Sequence, residues 1–187
     1  MKSLYIFLLA AVALLTGCDS VASDDRLIEV PAATIQRNVL IEDFTGQRCI
    51  YCPAATEAIT QLQTRYGDDK LIAVAIHAGP LSFKTMSGFT GLRTDVGDTY
   101  YKHWAVPNVP KAIINRRGGV FSKDAWAGRV YDEFARTTTV GIDLKCQYDA
   151  DKRRVEIETD LKTLSEDVQG RLQFWLVEDG VVAPQLF

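Results

Sequence analysis

The chain has 187 residues, of which 47% are hydrophobic and 24% charged, and its formal net charge at pH 7 is −3. This apolar content excludes intrinsic disorder, and the counts of 13 Gly and 6 Pro exclude collagen-like and low-complexity classes. The sequence has no basic run of five or six residues, so we expect no nucleic-acid partner. It predicts a folded domain with a hydrophobic core.

The N-terminus has the pattern of an export signal. Lys2 precedes an apolar run, residues 4–15, which is shorter than the roughly 20 residues of a membrane-spanning helix. The next residues, LTGC, resemble the bacterial lipobox, in which cleavage precedes a lipidated cysteine. We therefore expect residues 1–17 to be a lipoprotein signal peptide and Cys18 to carry acyl chains that anchor the protein to a membrane. An ordinary secretory peptide with an incidental Cys18 is the alternative.

Residues 18–36 are predicted to be the lipidated N-terminus and a linker, because the acidic stretch DSVASDD after Cys18 offers little apolar surface for packing. In some Gram-negative bacteria an aspartate at the position of Asp19 resembles an inner-membrane retention signal, and in others an acidic stretch there marks surface export. We expect a lipid-anchored protein of the cell envelope, at the outer membrane on its periplasmic or surface face.

Cys49 and Cys52 are spaced as CIYC between a predicted strand, residues 39–44, and a predicted helix, residues 53–66. A thiolate at a helix N-terminus faces unpaired N–H groups and the positive end of the helix dipole, which lowers its pKa. We therefore expect Cys49 to be the exposed nucleophile and Cys52 the resolving thiol, with Arg48 favouring the thiolate. In an exported chain this pair is expected to form a disulfide at rest.

Residues 70–76, KLIAVAI, are apolar after Lys70 and predict a buried strand, parallel to residues 39–44 through the intervening helix. Residues 78–94 are long for a loop in a compact domain. A helix is predicted over residues 95–104.

Pro110 directly precedes a predicted strand, residues 111–115, and a Gly-Gly turn leads into a short partner strand at residues 120–121. A last helix, capped by Ser122 or Asp124, follows. Its apolar residues are spaced by four: Trp126, Val130 and Phe134.

Residues 37–138 resemble the thioredoxin fold. The resemblance rests on four features in order: the segment VLIEDFTGQRCIYCP, the parallel strand, the VP-strand with its GG hairpin, and the closing helix. The resemblance implies that the Val109–Pro110 bond is cis and packs against the disulfide, and that Asp43 is a buried acid assisting proton transfer from Cys52. With the lipobox and the NR pair after the VP-strand, the chain looks most like the outer-membrane-protein-28-related lipoproteins, a thioredoxin-like family with a C-terminal β region. The expected fold class is α/β, a central mixed sheet flanked by helices, followed by a partial antiparallel β region.

Three features depart from standard thioredoxin: Arg48 replaces a tryptophan, Ile50-Tyr51 replaces Gly-Pro, and residues 78–94 are inserted. Because the intervening residues strongly affect the reduction potential, oxidant and reductant both remain open. The insertion begins at the carboxyl edge of the predicted sheet, where it is expected to shape a partner groove.

Two histidines, His77 and His103, lack the short paired spacing of a zinc site, and we interpret both as structural or surface residues. We expect no metal and no cofactor.

From residue 140 the pattern alternates between apolar and polar. Residues 140–148 and 155–161 predict a β-hairpin, and residues 172–177 a third strand. Cys146 lies on the inward row of the hairpin and is interpreted as a small buried apolar residue. Three strands make an incomplete sandwich, so we expect the C-terminal β region, residues 140–187, to be truncated.

Two function classes follow. The first is a membrane-anchored thiol-disulfide oxidoreductase acting on thiols or disulfides of exported proteins through Cys49 and Cys52. The second is a binding or structural lipoprotein of the outer membrane in which the same disulfide is only structural. The joint presence of the CIYC loop, Asp43 and Pro110 favours the first. The sequence does not fix the oligomeric state.

Overall fold

A computed structural model describes residues 37–164 and 168–186. The predicted signal peptide, the linker and the lipidation site Cys18 lie outside the described residues. The elements, in chain order, are β1 (Val39–Thr45), α1 (Cys52–Tyr66), β2 (Leu71–His77), α2 (Asp95–His103), β3 (Lys111–Ile114), α3 (Lys123–Phe134), β4 (Val140–Asp149) and β5 (Arg154–Thr163). Of the helices within these two ranges, none is long and apolar enough to cross a membrane.

The central sheet has the strand order β2-β1-β3. Strand β2 is parallel to β1, with Val39 opposite Leu71, and β3 is antiparallel to β1, with Ile41 opposite Ile114. The predicted βαβ unit is therefore confirmed. The predicted strand at residues 120–121 is reduced to one bridge between Ala112 and Phe121, because the chain turns into α3 directly afterwards.

Each face of the sheet is covered by helices, so the alternation of side chains along β1 divides the core in two. One face packs against α1 and α3 through nine fully or nearly buried residues: Val39, Ile41, Ala55, Ile59, Leu71, Ala112, Ile114, Trp126 and Val130. The other face contributes Phe44, Ile76 and Ile113, against which the aromatic residues Tyr100, Tyr101 and Trp104 of α2 and its C-terminal end pack. The predicted spacing of Trp126 and Val130 thus marks a true core face.

Helix boundaries follow local chemistry. Thr94 caps α2, since its hydroxyl accepts a hydrogen bond from the Gly97 N–H at 2.9 Å. Helix α1 has Pro53 in its first turn and ends at Gly67, whose positive φ of 93° suits glycine.

The C-terminal region contains the predicted hairpin, in which β4 and β5 pair antiparallel from Val140–Thr163 to Asp149–Arg154. The fold class is therefore confirmed as a mixed α/β sheet flanked by helices and followed by an antiparallel β region. The third strand predicted at residues 172–177 is wrong, because this segment has no strand pairing and instead places Trp175 against the second core.

The prediction that Cys146 is buried is also wrong: its side chain is free and exposed. In the described part of the chain no helix and no second sheet packs on β4 and β5. The side chains on both faces of the hairpin are therefore exposed to solvent.

Candidate functional site

The candidate site is the disulfide at the junction of β1 and α1. Strand β1 ends at Thr45, residues 46–51 form what we call the disulfide loop, and Cys52 is the first residue of α1. Cys49 and Cys52 are bonded to each other with a Cα–Cα distance of 5.4 Å, and the Cys52 N–H donates to the Cys49 carbonyl at 3.3 Å. The predicted pairing and its place at a helix N-terminus are confirmed.

The expectation that Cys49 is exposed is wrong. Cys49 is 2% and Cys52 3% exposed, whereas Ile50 and Tyr51 between them form the exposed tip of the loop. Two segments are hydrogen-bonded to the loop that carries the cysteines, one from the insertion and one from residues 184–186. Neither contact follows from the local sequence, so the sequence does not predict the burial of Cys49.

The insertion, residues 78–94, holds the disulfide loop from one side. The Leu81 carbonyl accepts a hydrogen bond from the Arg48 N–H at 2.9 Å. Gly46 lies so close that a Cβ atom there would meet the Leu81 oxygen at 2.6 Å, so only glycine fits. The Ser82 hydroxyl lies 3.0 Å from the Thr45 carbonyl and 3.0 Å from that of Ala78. The expected proximity of the insertion to the site is thus present.

Gln47 links the loop to both covering segments, a role that sequence analysis missed. Its Nε2 donates to the carbonyls of Thr90 and Pro184, both at 3.0 Å, and its Oε1 accepts from the Leu92 N–H at 2.9 Å. Gln47 is among the largest fully buried side chains. Because its amide oxygen and nitrogen both have hydrogen-bond partners, the buried Gln47 side chain holds the disulfide loop, the insertion and residue 184 together.

The second cover is formed by residues 184–186, which we call the strap. The Leu186 N–H donates to the Gln47 carbonyl at 2.6 Å. The Gln185 Nε2 donates to the Cys49 carbonyl at 3.0 Å and lies 3.4 Å from that of Gly46. The strap is therefore held to the disulfide loop by hydrogen bonds to backbone carbonyls.

Asp43 is the buried acid near this site. It is 2% exposed, and its Oδ1 has no hydrogen-bond partner among the described residues. Asp43 shares the parity of Val39 and Ile41 along β1, so its side chain lies on the sheet face that α1 covers. Because β1 leads directly into the disulfide loop, Asp43 is displaced from Ile41 towards the N-terminal end of α1. Burial raises the pKa of the Asp43 carboxyl to about 7.

The cross-strand neighbours of Asp43 are small and apolar. Its partners in the neighbouring strands are Ala75 on β2 and Ala112 on β3. Alanine methyl groups cannot satisfy a carboxylate, so the uncharged form is favoured at this position.

The Val109–Pro110 peptide bond is cis, as the resemblance implied. Lys111, the next residue, lies opposite Phe44 at the end of β1. Pro110 is therefore at the same edge of the sheet as Thr45, the residue from which the chain enters the disulfide loop.

The remaining predicted residues are Arg48, which belongs to the disulfide loop, and the two histidines. The Arg48 guanidinium lies over the Phe83 ring, 5.7 Å from its centroid, and so contacts the insertion. His77 ends β2 opposite Thr45; burial lowers its pKa, and its Nδ1 has no partner within the described ranges. His103 contacts the ring of Trp104. No group of three or more His, Cys, Asp or Glu residues suited to a metal ion occurs in residues 37–164 and 168–186.

A buried ion pair was also missed. Glu42 is fully buried on the α2 face, where its carboxylate accepts from the Arg116 guanidinium at 3.0 Å. Arg116 in turn lies over the rings of Tyr100 and Trp175, at 5.3 and 5.0 Å, and donates to Gln173 at 2.6 Å. This group fastens residues 173–175 to the mixed sheet.

Comparison with known proteins places this site in context. Residues 97–186 match the model of the family Outer membrane protein Omp28. The resemblance to this family is confirmed. The match covers α2, β3, α3, the hairpin and the strap, and a family of outer membrane proteins agrees with the expected location in the cell envelope.

Three solved structures are similar to the chain. HBP35 of Porphyromonas gingivalis is 20% identical with a TM-score of 0.43, and the match covers 62% of this chain and 38% of that one. A protein from Agrobacterium tumefaciens is 20% identical with a TM-score of 0.46, covering 69% and 58%. A malarial protein is 12% identical with a TM-score of 0.36, covering 52% and 98%. The chain thus spans well under half of HBP35. None of the curated proteins matches it.

Proposed function

We propose that the protein is a thiol-disulfide oxidoreductase of the cell envelope, with a thioredoxin-like domain over residues 37–138 and a C-terminal β region over residues 140–187. Its substrates are thiols or disulfides of exported proteins. Cys49 is the residue that exchanges with the substrate, Cys52 is the resolving thiol, and Asp43 gives a proton to Cys52 or takes one from it, depending on the direction of the reaction. Cys18 carries the lipid that anchors the chain to the outer membrane.

In the oxidising direction a substrate thiolate attacks the Cys49 sulfur, the Cys49–Cys52 bond breaks, and Cys52 leaves as a thiolate that takes a proton from neutral Asp43. A second substrate thiolate then attacks the first substrate sulfur and expels Cys49. The substrate loses two electrons to the pair, and a disulfide oxidant restores the Cys49–Cys52 bond. The reducing direction is the reverse, with Asp43 as carboxylate taking the Cys52 proton and a dithiol reductant regenerating the pair.

The observation that carries this proposal is the unpartnered carboxyl of Asp43. A buried acid without a hydrogen-bond partner destabilises a fold, and functional sites are where such groups are retained. Its pKa of about 7 lets it accept and release a proton near neutral pH. A purely structural disulfide has no need of such a group.

The test is trapping of mixed disulfides. A Cys52→Ala variant expressed in the envelope should accumulate mixed disulfides with exported proteins through Cys49, because the resolving thiol is gone. A Cys49→Ala variant should trap far less, and Cys146→Ala in the Cys52→Ala background should leave the adducts unchanged. Failure to trap any partner, together with a reduction potential below about −300 mV, contradicts the proposal.

The burial of both cysteines favours a second candidate function. A disulfide that is 2–3% exposed is protected from exchange, as expected of an outer-membrane binding or structural lipoprotein. The same trapping experiment separates the two, since this function predicts a strongly stable pair and no adducts.

The lipid anchor has its own test. The wild-type protein should incorporate labelled fatty acid and partition into detergent, and Cys18→Ser should lose both properties. Labelling that persists in Cys18→Ser contradicts the assignment of the lipid to this residue.

A further inference from the structure

We propose that the strap, residues 184–186, is a built-in cover of the disulfide, which lies where an extended segment of a substrate protein docks and must move aside before thiol exchange. The substrate class is thus an extended polypeptide that pairs with the backbone of the disulfide loop. This inference rests on the proposed function for its role in exchange. Whether the strap limits access to the cysteines does not depend on that function.

The hydrogen bonds of the strap are those of a docked peptide. One main-chain donor, the Leu186 N–H, meets the Gln47 carbonyl at 2.6 Å, and one main-chain acceptor, the Pro184 carbonyl, meets the Gln47 Nε2 at 3.0 Å. Main-chain pairing gives affinity that does not depend on sequence, which is how extended peptides add to a protein edge. A substrate segment in place of the strap would meet the same groups of Gln47.

Gln185 brings the strap to the reacting pair. Its Nε2 donates to the carbonyl of Cys49 itself at 3.0 Å. The same residue, Cys49, is 2% exposed although its neighbours Ile50 and Tyr51 are exposed. The strap thus lies against the one cysteine that an incoming thiolate has to reach.

The strap makes only hydrogen bonds to the site, whereas residues 173–175 before it also pack against the core. Pro184, Gln185 and Leu186 are themselves exposed, and none belongs to a hydrophobic core cluster. By contrast, Trp175 packs in the second core and its ring lies 5.0 Å from that of Tyr100. Residues 173–175 therefore stay bound while the strap is released, because release of the strap requires only the exchange of a few part-buried hydrogen bonds and exposes no hydrophobic core.

The first experiment measures access directly. The Cys49–Cys52 disulfide of the full chain is reduced with dithiothreitol near neutral pH, and the rate is followed by quenching with an alkylating agent. In Gln185→Glu the two N–H donors are replaced by a carboxylate facing carbonyl oxygens, so the strap should detach. Loss of a hydrogen bond is worth about a fivefold change in population, and we expect reduction to be at least about fivefold faster.

Val182→Glu is the matched control. Val182 is 91% exposed, and its replacement by glutamate adds the same charge to the same segment. Its reduction rate should be equal to that of the wild type or slightly lower. A negative charge near the site repels the dithiothreitol thiolate and slows it, so faster reduction in Gln185→Glu cannot come from the charge itself.

Hydrogen exchange supplies a readout independent of redox chemistry. The Leu186 amide should be protected in the wild type and in Val182→Glu and should lose protection in Gln185→Glu and in Gln185→Ala. Equal reduction rates and equal Leu186 exchange in wild type and both Gln185 variants would overturn the cover. If access changes as expected while Cys52→Ala traps no partner, the cover stands and the oxidoreductase function fails.

Discussion

The mixed sheet and the β4–β5 hairpin are built from similar strand residues but have opposite environments. Ile41 of β1 is fully buried between helices, whereas Ile142 of β4 is 58% exposed. Both lie in strands that the sequence predicts, β1 and β4. The difference teaches that alternation along a strand determines which face a residue occupies, while burial depends on whether another layer covers that face.

The same comparison applies to polar residues. In the mixed-sheet region Glu42 and Asp43 are buried, one paired with Arg116 and one unpartnered. In the hairpin the charged residues form exposed pairs such as Lys145–Glu158 at 3.6 Å, which contribute little stability. Substituting charged residues of the mixed-sheet region should therefore change the free energy of unfolding more than substituting those of the hairpin.

The largest expected difference comes from the same substitution in both regions. Ile41→Ala removes side-chain atoms from the closed core and should lower the free energy of unfolding by about 2–5 kcal/mol. Ile142→Ala should change it by less than about 0.5 kcal/mol, since more than half of Ile142 is already exposed to water. Denaturant titration followed by tryptophan fluorescence measures both. Equal losses would show that another layer covers the hairpin in solution.

Asp43 should make the stability of the mixed-sheet region depend on pH. Its folded pKa of about 7 lies above the unfolded value near 3.8, so the folded state holds the proton more tightly. Below about pH 4 the group is uncharged in both states, and as pH rises towards 7 the penalty for burying its charge lowers the free energy of unfolding, on the order of 4 kcal/mol at the full shift.

Asp43→Asn should therefore flatten the decline in unfolding free energy between pH 4 and 7, measured by denaturant titration at each pH. Asp143→Asn on the exposed hairpin is the control and should leave the decline unchanged. A wild-type curve without any decline in this range would contradict the raised pKa.

How far the sequence predicts this molecule depends on the range of the interactions. The strand, CxxC and helix order around Cys49 was predicted because periodicity and helix-end signals are local. The contact from Gln185 to the Cys49 carbonyl spans 136 residues and leaves no periodic pattern, so the burial of Cys49 was not predicted. Gln47 was missed for the same reason, since its partners lie on two distant segments.

The pairing of Arg116 with Glu42 should stabilise the mixed-sheet region and hold residues 173–175 against it. Arg116→Ala leaves the buried Glu42 carboxylate without its partner and frees Trp175 and Gln173, so we expect a loss of about 1–3 kcal/mol in unfolding free energy. Lys145→Ala, which breaks an exposed pair, serves as the control and should cost less than about 0.5 kcal/mol. Indole fluorescence should also shift in Arg116→Ala but not in Lys145→Ala. Indistinguishable losses would place Glu42 in a more solvated site than described.

The smallest effect on stability is expected at Cys146. Because its thiol is free and exposed on the open hairpin, it makes few contacts to lose, and Cys146→Ser should change the free energy of unfolding by less than about 0.5 kcal/mol. The same exposure predicts chemical reactivity. In the native oxidised protein a maleimide should modify Cys146 at a rate within about threefold of that in denaturant, because the exposed thiol is already open to the reagent in the folded state. Mass spectrometry of peptides from protein labelled without reductant identifies the modified residue, and Cys146→Ser is the control for labelling elsewhere. Protection of Cys146 that disappears in denaturant would mean that its row of the hairpin is covered after all, by a second copy or by another part of the chain.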